Sequence, residues 1–487
     1  MRAWVSVAVI AVAMAVGVTD SAAQSRMTFQ CHDPAAPVCD GRFFMNGTET
    51  FVLGVYDSGF SPPPADGWES ALFTGTGDMK YYRGLKDIPI NVYLNYWQGG
   101  NTLTQVQNLL NVLGTHGVMW FQTANCSGDG SYTRYSPGFS VDRDNGYFAQ
   151  QLALHPYMAG YYVMDECGDY GYGTNLVPET QYHHSVLKSS THDPAAINFA
   201  VPIARGYRDP KYWVSPPYKD PNGTSAPTAD LFGTDPYPMY RSEPRGGYPH
   251  FEVADYIARL RDDVPSAGPI VGVLQFFKFG GGGRLPTWGE MRTHAYAAIA
   301  EGAQGLFWWD IGENGVRSRN VKAGELSSAL QNLKNLVNEL HALQPALLAS
   351  PTPRALLDVT PRFATPREWR IDAVSRDIPL ISNYADKQWY QAELNALLAG
   401  DESLSPMLHQ ATLQRSYIRT RTSIVNNVGY VIAYNYGNTA ISGASFTWQS
   451  APGSVEVVGE NRALTPSGAT FHDDFGPYEA HVYIVRP

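Results

Sequence analysis

Gly160-Tyr161-Tyr162-Val163-Met164-Asp165-Glu166 is an apolar run of strand-forming residues that ends in two adjacent carboxylates. Burying two like charges unpaired at a strand tip costs several kcal/mol each. Side by side, like charges push one pKa up and leave the other group ionised, which suits a group that must donate a proton near neutral pH. A solvated strand end or a helix N-cap would carry the same pair. The choice turns on whether this run stands alone or belongs to a set.

It belongs to a set. Short apolar runs recur at Phe51–Tyr56, Ile90–Tyr96, Gly117–Thr123, Gly160–Asp165, Ala196–Ile203, Leu231–Thr234, Pro269–Phe277 and Gly305–Trp309, eight in all. Each is continuously apolar rather than alternating, as in a parallel sheet buried on both faces. Helical spacing lies between several of them. Val106, Leu109, Leu110 and Leu113 follow the second run, and Val253, Ile257 and Leu260 follow the sixth. Thr287-Trp288-Gly289-Glu290 has the spacing of a capping box and opens a helix through Ile299. Leu326, Leu330, Leu333, Val337 and Leu340 mark one face of a further helix that Pro345 stops. Eightfold strand–helix alternation predicts an α/β fold, a (β/α)8 TIM barrel. A doubly wound open sheet is the alternative, but no glycine fingerprint follows the first strand.

From about residue 347 the pattern changes. Residues 351–410 are mixed, with one helix expected around Gln391–Leu398. Strand-like stretches then follow at Tyr417–Val425, Tyr430–Tyr436, Ala444–Trp448, Val455–Val458 and Ala480–Val485, which predicts an antiparallel β-sandwich packed on the barrel. The expected organisation is a signal peptide over 1–24, a barrel over 25–346, and a C-terminal β-sandwich domain over 347–487 with a partly helical insertion.

The chain starts with Met1-Arg2, an apolar run from Ala3 to Val18 and the small residues Ser21-Ala22-Ala23. This is the order of a secretory leader, with the mature start near Gln24 or Ser25, and it predicts a secreted or periplasmic protein without a membrane span. Four cysteines suit an oxidising compartment. Cys31 and Cys39 are close enough to close a small loop. Cys126 and Cys167 sit just past the third and fourth strands, whose neighbouring ends could bring them within disulfide reach. A net charge of −10 without basic clusters argues against nucleic acid as a partner. The 11 Trp and 30 Tyr offer flat amphipathic faces that suit stacking on sugar rings.

In such barrels the catalytic groups sit at the C-terminal strand ends. Read there, the runs finish in Tyr56-Asp57, Asn95-Tyr96-Trp97, Phe121-Gln122, Asp165-Glu166, Asp235-Pro236-Tyr237, Gln275-Phe276-Phe277 and Trp308-Trp309-Asp310. Carboxamides, carboxylates and aromatics at seven of eight ends describe a polar cleft with stacking walls. The expected substrate-binding set is Tyr56, Asp57, Asn95, Trp97, Gln122, Tyr237, Gln275, Trp308 and Trp309. A carbohydrate is the expected partner.

The chain resembles the secreted (β/α)8-barrel glycoside hydrolases with a trailing β-sandwich, of the broad retaining superfamily whose acid/base Glu closes the fourth strand. The resemblance rests on Gly160–Glu166, on Gly233-Thr234-Asp235-Pro236-Tyr237-Pro238, on Glu301-Gly302-Ala303-Gln304-Gly305-Leu306-Phe307-Trp308-Trp309 and on Pro477-Tyr478-Glu479-Ala480-His481-Val482-Tyr483. It implies hydrolysis of O-glycosidic bonds with Glu166 as general acid/base. Two positions depart from the pattern. Asp165 stands where Asn usually precedes the acid, and the seventh strand offers Gln275 where a nucleophilic Glu is expected.

Glycoside hydrolysis normally takes two carboxyl groups. The candidates for the partner of Glu166 are Asp235, Asp310 and the less constrained Glu313. Alternatively, Asp165-Glu166 resembles the arrangement in hexosaminidase- and chitinase-like enzymes, where the substrate's own 2-acetamido group attacks. There Asp165 would orient that group and Tyr237 would bond its oxygen. A non-catalytic carbohydrate-binding protein would keep the aromatics but has no need of Glu166. No cofactor is expected. His183-His184 are adjacent rather than spaced as metal ligands, and Gly280–Gly283 lacks the Lys of a phosphate loop.

Overall fold

The computed structural model describes residues 26–30, 41–58, 67–75, 82–95, 103–126, 151–152, 155–165, 184–185, 187–188, 197–201, 229–239, 250–263, 269–278, 283–312, 321–351, 357–381, 384–409 and 415–487. The readings made for the leader and for Cys31, Cys39, Trp97, Glu166, Cys167, His183, Gly280 and Glu313 lie outside the described residues.

Three short antiparallel strands come first: β1 (Met27–Gln30), β2 (Arg42–Met45) and β3 (Thr48–Thr50). The eight predicted runs follow as β4 (Val52–Asp57), β5 (Val92–Asn95), β6 (Met119–Cys126), β7 (Met158–Asp165), β8 (Ile197–Val201), β9 (Leu231–Thr234), β10 (Ile270–Gln275) and β11 (Gly305–Trp309). All pair in parallel, and β11 pairs with β4 to close the barrel.

The interior is a packed core. Val52, Val92, Met119, Ile197, Leu231 and Val271, near the strand starts, cluster with Met27, Phe43 and Met45 from the N-terminal sheet, which therefore covers the lower end. Above them Phe199 and Phe307 stack with ring centres 5.4 Å apart. Gly54 makes room for this layer, since a Cβ there would lie 2.3 Å from the Phe307 ring. Tyr56 and Tyr162 form the next layer up, edge to face at 5.5 Å. Residues of the opposite parity (Leu53, Val55, Tyr93, Trp120, Tyr161, Leu274 and Trp308) belong to the outer core under the helices.

Strand β7 breaks this alternation. Its pairing with β8 shifts between Tyr162 and Met164. Tyr162 belongs to the inner cluster, whereas Val163 and Met164 both belong to the outer one. The irregularity resets the parity, as a bulge does, and returns Asp165 to the inside.

Helices Leu103–Thr115, Phe251–Asp263, Trp288–Ala300 and Ala323–Ala342 take the predicted apolar faces inward. The capping box forms as read: Glu290 N donates to Thr287 Oγ1 at 3.3 Å, and Thr287 N donates to Glu290 Oε2 at 2.8 Å. Among the described residues no helix is long and apolar enough to cross a membrane.

The C-terminal part holds β12 (Leu357–Thr360), β13 (Ile418–Val425), β14 (Val428–Asn435), β15 (Ile441–Trp448), β16 (Ser454–Val457), β17 (Arg462–Leu464), β18 (Thr470–Phe475) and β19 (Ala480–Arg486). They make two antiparallel sheets, β12-β15-β18 and β13-β14-β19-β16-β17. Val431, Phe446, Phe471 and Tyr483 lie in the core these sheets share. Helices Pro366–Asp377 and Tyr384–Leu398 sit in the chain between β12 and β13, so the expected single helix is two.

This part docks on the barrel through buried ion pairs. Arg370 bridges Asp255 (2.9 Å) on a barrel helix and Glu393 (2.7 Å). Arg419 of β13 holds Glu301, just past the Trp288–Ala300 helix, at 2.5 and 2.8 Å. One apolar cluster runs from barrel residues such as Leu306 through Trp369 and Tyr390 to Ile432 and Val482.

Candidate active site

Side chains alternate across a strand, and that alternation decides which polar strand ends reach the barrel mouth. Tyr56, Asp235, Gln275 and Trp309 share the parity of the inner core, and so does Thr123, which the strand-end reading passed over. Asp57, Asn95, Gln122 and Trp308 have the outward parity.

Tyr56 is the floor of the mouth. Tyr162 Oη donates to Asp165 Oδ1 at 2.7 Å, and the Tyr56 hydroxyl is the hydrogen-bond neighbour of Tyr162. Burial, and then the nearby Asp165 carboxylate, hold the Tyr56 hydroxyl well above the usual phenol pKa, with Asp235 adding in the same direction. Both carboxylates therefore lie within electrostatic reach of one hydroxyl, Asp165 from the fourth barrel strand and Asp235 from the sixth.

An aromatic wall stands beside them. Tyr237 stacks on Trp309 with centres 5.6 Å apart and planes 28° apart. Phe277 meets both edge-on, at 5.0 Å to Tyr237 and 4.7 Å to Trp309. Tyr237 and Trp309 are partly exposed and Phe277 is buried, so Phe277 is a backing ring. The strand-end reading did not single it out, though it sits in the same Gln275-Phe276-Phe277 triplet.

Several expected site residues serve other purposes. Asp57, read as a substrate ligand, is fully buried: Arg83 Nε lies 2.5 Å from Oδ2 and Tyr93 Oη donates to the same oxygen at 2.8 Å. Asn95 is likewise buried and accepts from Trp120 Nε1 at 3.0 Å in the outer core. Gln122 pairs in register with Asn95 on that face. Trp308 is 1% exposed and packs under the helices, not in the cleft. The physical reason is common to all four: outward parity points a side chain at the helix layer, away from the mouth.

Asp310 also moves from its expected role. Its carboxyl is covered, and Oδ1 accepts from the backbone of Ser58 at 3.5 Å and from Gly312 N. Burial, and then the Asp57 charge beside it, push its pKa up to about 7 against these lowering hydrogen bonds. A carboxyl enclosed next to the Arg83–Asp57 pair braces the strand end rather than facing a sugar. Gln275 is 1% exposed and bonded at both ends of its amide to backbone, from Met239 N (2.8 Å) and to Phe277 O (3.3 Å). It is not a direct substrate ligand.

Among the described residues no three His, Cys, Asp or Glu side chains come together as metal ligands. His184 lies at the opposite end of the barrel, with Nε2 3.5 Å from Asp230 Oδ1 just ahead of β9. Cys126 closes β6, beside Met164 of β7 in register.

A scan of protein-family models finds no match, and neither does a search of curated proteins. Solved structures with similar folds include a GH30 endoxylanase from Clostridium papyrosolvens, at 12% identity and TM-score 0.44, over 90% of this chain and 96% of that one. A GH42 beta-galactosidase from G. stearothermophilus, a catalytic mutant, is similar at 7% identity and TM-score 0.47, over 95% of this chain and 100% of that one. A GH27 beta-L-arabinopyranosidase from Geobacillus stearothermophilus is similar at 9% identity and TM-score 0.47, over 90% and 97%. The barrel assignment itself stands on the strand topology.

Proposed function

We propose that this chain is a glycoside hydrolase that cleaves O-glycosidic bonds of a poly- or oligosaccharide at the C-terminal mouth of its barrel. One observation carries the reading: two carboxylates of inward parity, Asp165 and Asp235, both act on the Tyr56 hydroxyl to raise its pKa, and the partly exposed Tyr237–Trp309 stack lies just past Asp235 in the chain. Carboxyl groups facing each other across a sugar site, with rings for its apolar face, are what glycosyl transfer to water requires.

Glu166, next in the chain to Asp165, is the general acid/base in this reading. Asp235, of inward parity, is its partner in preference to Asp310, whose Oδ1 is taken up by the backbone of Ser58 and Gly312. The test is kinetic. Glu166→Gln should lower kcat by roughly 10²–10⁴ on substrates with poor leaving groups, the usual worth of a general acid. The loss should be much smaller on aryl glycosides whose leaving group needs no proton. Full activity of Glu166→Gln on a poor leaving group would overturn the assignment. Ligand binding without turnover by the unaltered protein would favour a carbohydrate-binding module instead.

A substrate-assisted route is favoured by the inward turn of Asp165 and its bond from Tyr162. In that route Asp165 orients a 2-acetamido group and Tyr237 bonds its oxygen. Cleavage confined to 2-acetamido sugars, lost in Asp165→Asn, would select it. Export fits the leader-like start, as do the pairs Cys31–Cys39 and Cys126–Cys167; the mass of the mature protein before and after reduction and alkylation tests all three.

A further inference from the structure

Gln275 is where the strand pattern departs from two-carboxylate chemistry, and its surroundings give the side chain a different task. Inward parity after Val271 and Val273 places it at the end of β10, where it is buried. Its Oε1 accepts from Met239 N at 2.8 Å, and its Nε2 donates to Phe277 O at 3.3 Å. Met239 lies two residues past Tyr237 on the exit from β9. Phe277 lies two residues past Gln275 on the exit from β10. One amide thus ties together the two backbone segments that carry Tyr237 and Phe277. A further bond, from Phe276 N to Trp309 O at 2.6 Å, joins this pair of exits to the third ring of the wall.

The two contacts need opposite hydrogen-bonding characters at one side-chain end, an acceptor toward Met239 N–H and a donor toward Phe277 C=O. An amide has both. An ionised carboxylate keeps the first and turns the second into a repulsion between two oxygens. A protonated carboxylic acid restores both.

We propose that Gln275 is a positioning residue. It clamps the aromatic wall against which a sugar ring packs, and its amide is required for that clamp rather than being the remnant of a lost nucleophile. This rests on the carbohydrate reading of the mouth.

The experiment compares Gln275→Glu and Gln275→Met with the unaltered protein across pH, on an oligosaccharide substrate. Both variants should raise KM about three- to tenfold at neutral pH, what one displaced aromatic contact is worth, with kcat little changed. In Gln275→Glu the KM should return toward normal as pH falls and the introduced acid takes its proton. In Gln275→Met it should not. A raised kcat in Gln275→Glu, or an unaltered KM in both variants, would overturn the proposal. If no carbohydrate is bound or cleaved by the unaltered protein, the carbohydrate reading has failed. The clamp is then read separately from the near-ultraviolet circular dichroism of the ring cluster. The same recovery at low pH in Gln275→Glu alone supports the clamp, and unchanged spectra in both variants refute it.

Discussion

Around Gly312 two buried carboxylates come together. A side chain there would begin 2.3 Å from Asp57 Oδ1 and 2.9 Å from Asp310 Oδ1, so glycine alone leaves the pair undisturbed. Arg83 is what makes the arrangement tolerable, since its guanidinium holds Asp57 from two nitrogens, at 2.5 and 3.1 Å. Removing one member of a buried ion pair strands the other, at a cost of about 3–5 kcal/mol. Arg83→Met should therefore lose roughly that much stability in denaturant unfolding at pH 8. The loss should shrink at pH 5, because Asp310, poised at about 7, is then protonated and one of the two carboxyl charges left beside the missing guanidinium is gone. An equal penalty at both pH values would show that packing, not charge, is what Arg83 supplies. These residues also mark where the sequence misled. Asp57, Asn95, Gln122 and Trp308 read as cleft residues because each ends an apolar run. In a strand buried on both faces, polarity does not reveal parity, and only the packing of Leu53 and Val55 under the helices settles it.

At the scale of elements, the helix Phe251–Asp263 and the helix Trp288–Ala300 meet through two imidazoles. His250 Nδ1 and His294 Nε2 are 2.7 Å apart, with Glu290, itself paired to Arg284, 3.6 Å from His250 and the Tyr478 ring 4.8 Å away. One ring donates and the other accepts, so the two rings cannot both be charged. Burial lowers the pKa of His250 to about 4, and burial and then the His250 charge hold His294 well below the ordinary value. The unfolded chain takes these protons first as pH falls. Stability should therefore be full above pH 6.5 and decline from there toward pH 4, by on the order of 3 kcal/mol for His250 alone. Measured unfolding free energies over that window should flatten in a His250→Gln/His294→Gln double variant; an unchanged slope would assign acid sensitivity elsewhere. The elements themselves were readable where a rule of periodicity applied, as in the eight runs and the Thr287 capping box. The helix Pro366–Asp377 was not, despite its Thr365-Pro366 start. It buries Arg370 and Asp377 beside Trp369, and the helix Tyr384–Leu398 buries Asp386 and Glu393. Charged residues turned inward erase the apolar stripe on which the reading depends. The parity reset in β7 was equally hidden, because it arises from register with β8.

For the whole molecule, barrel and sandwich share a core and several buried charges, so they should unfold as one unit. The Glu301 carboxylate takes two bonds from Arg419 and one from Tyr434 at 2.7 Å, and its pKa is lowered by Arg419 against the effect of burial. Glu301→Gln leaves Arg419 buried without a counter-charge at that site. It should cost about 3–5 kcal/mol and move barrel and sandwich probes together. Two separated transitions in the unaltered protein would refute the shared core.

The N-terminal sheet gives the barrel a further property. With Met27, Phe43 and Met45 wedged among the lowest residues of the strands, the cylinder is stoppered from below by the chain's own beginning. Among the described residues the lower end is covered. Under the carbohydrate reading proposed above, a bound chain would reach the site and leave it across the upper rim.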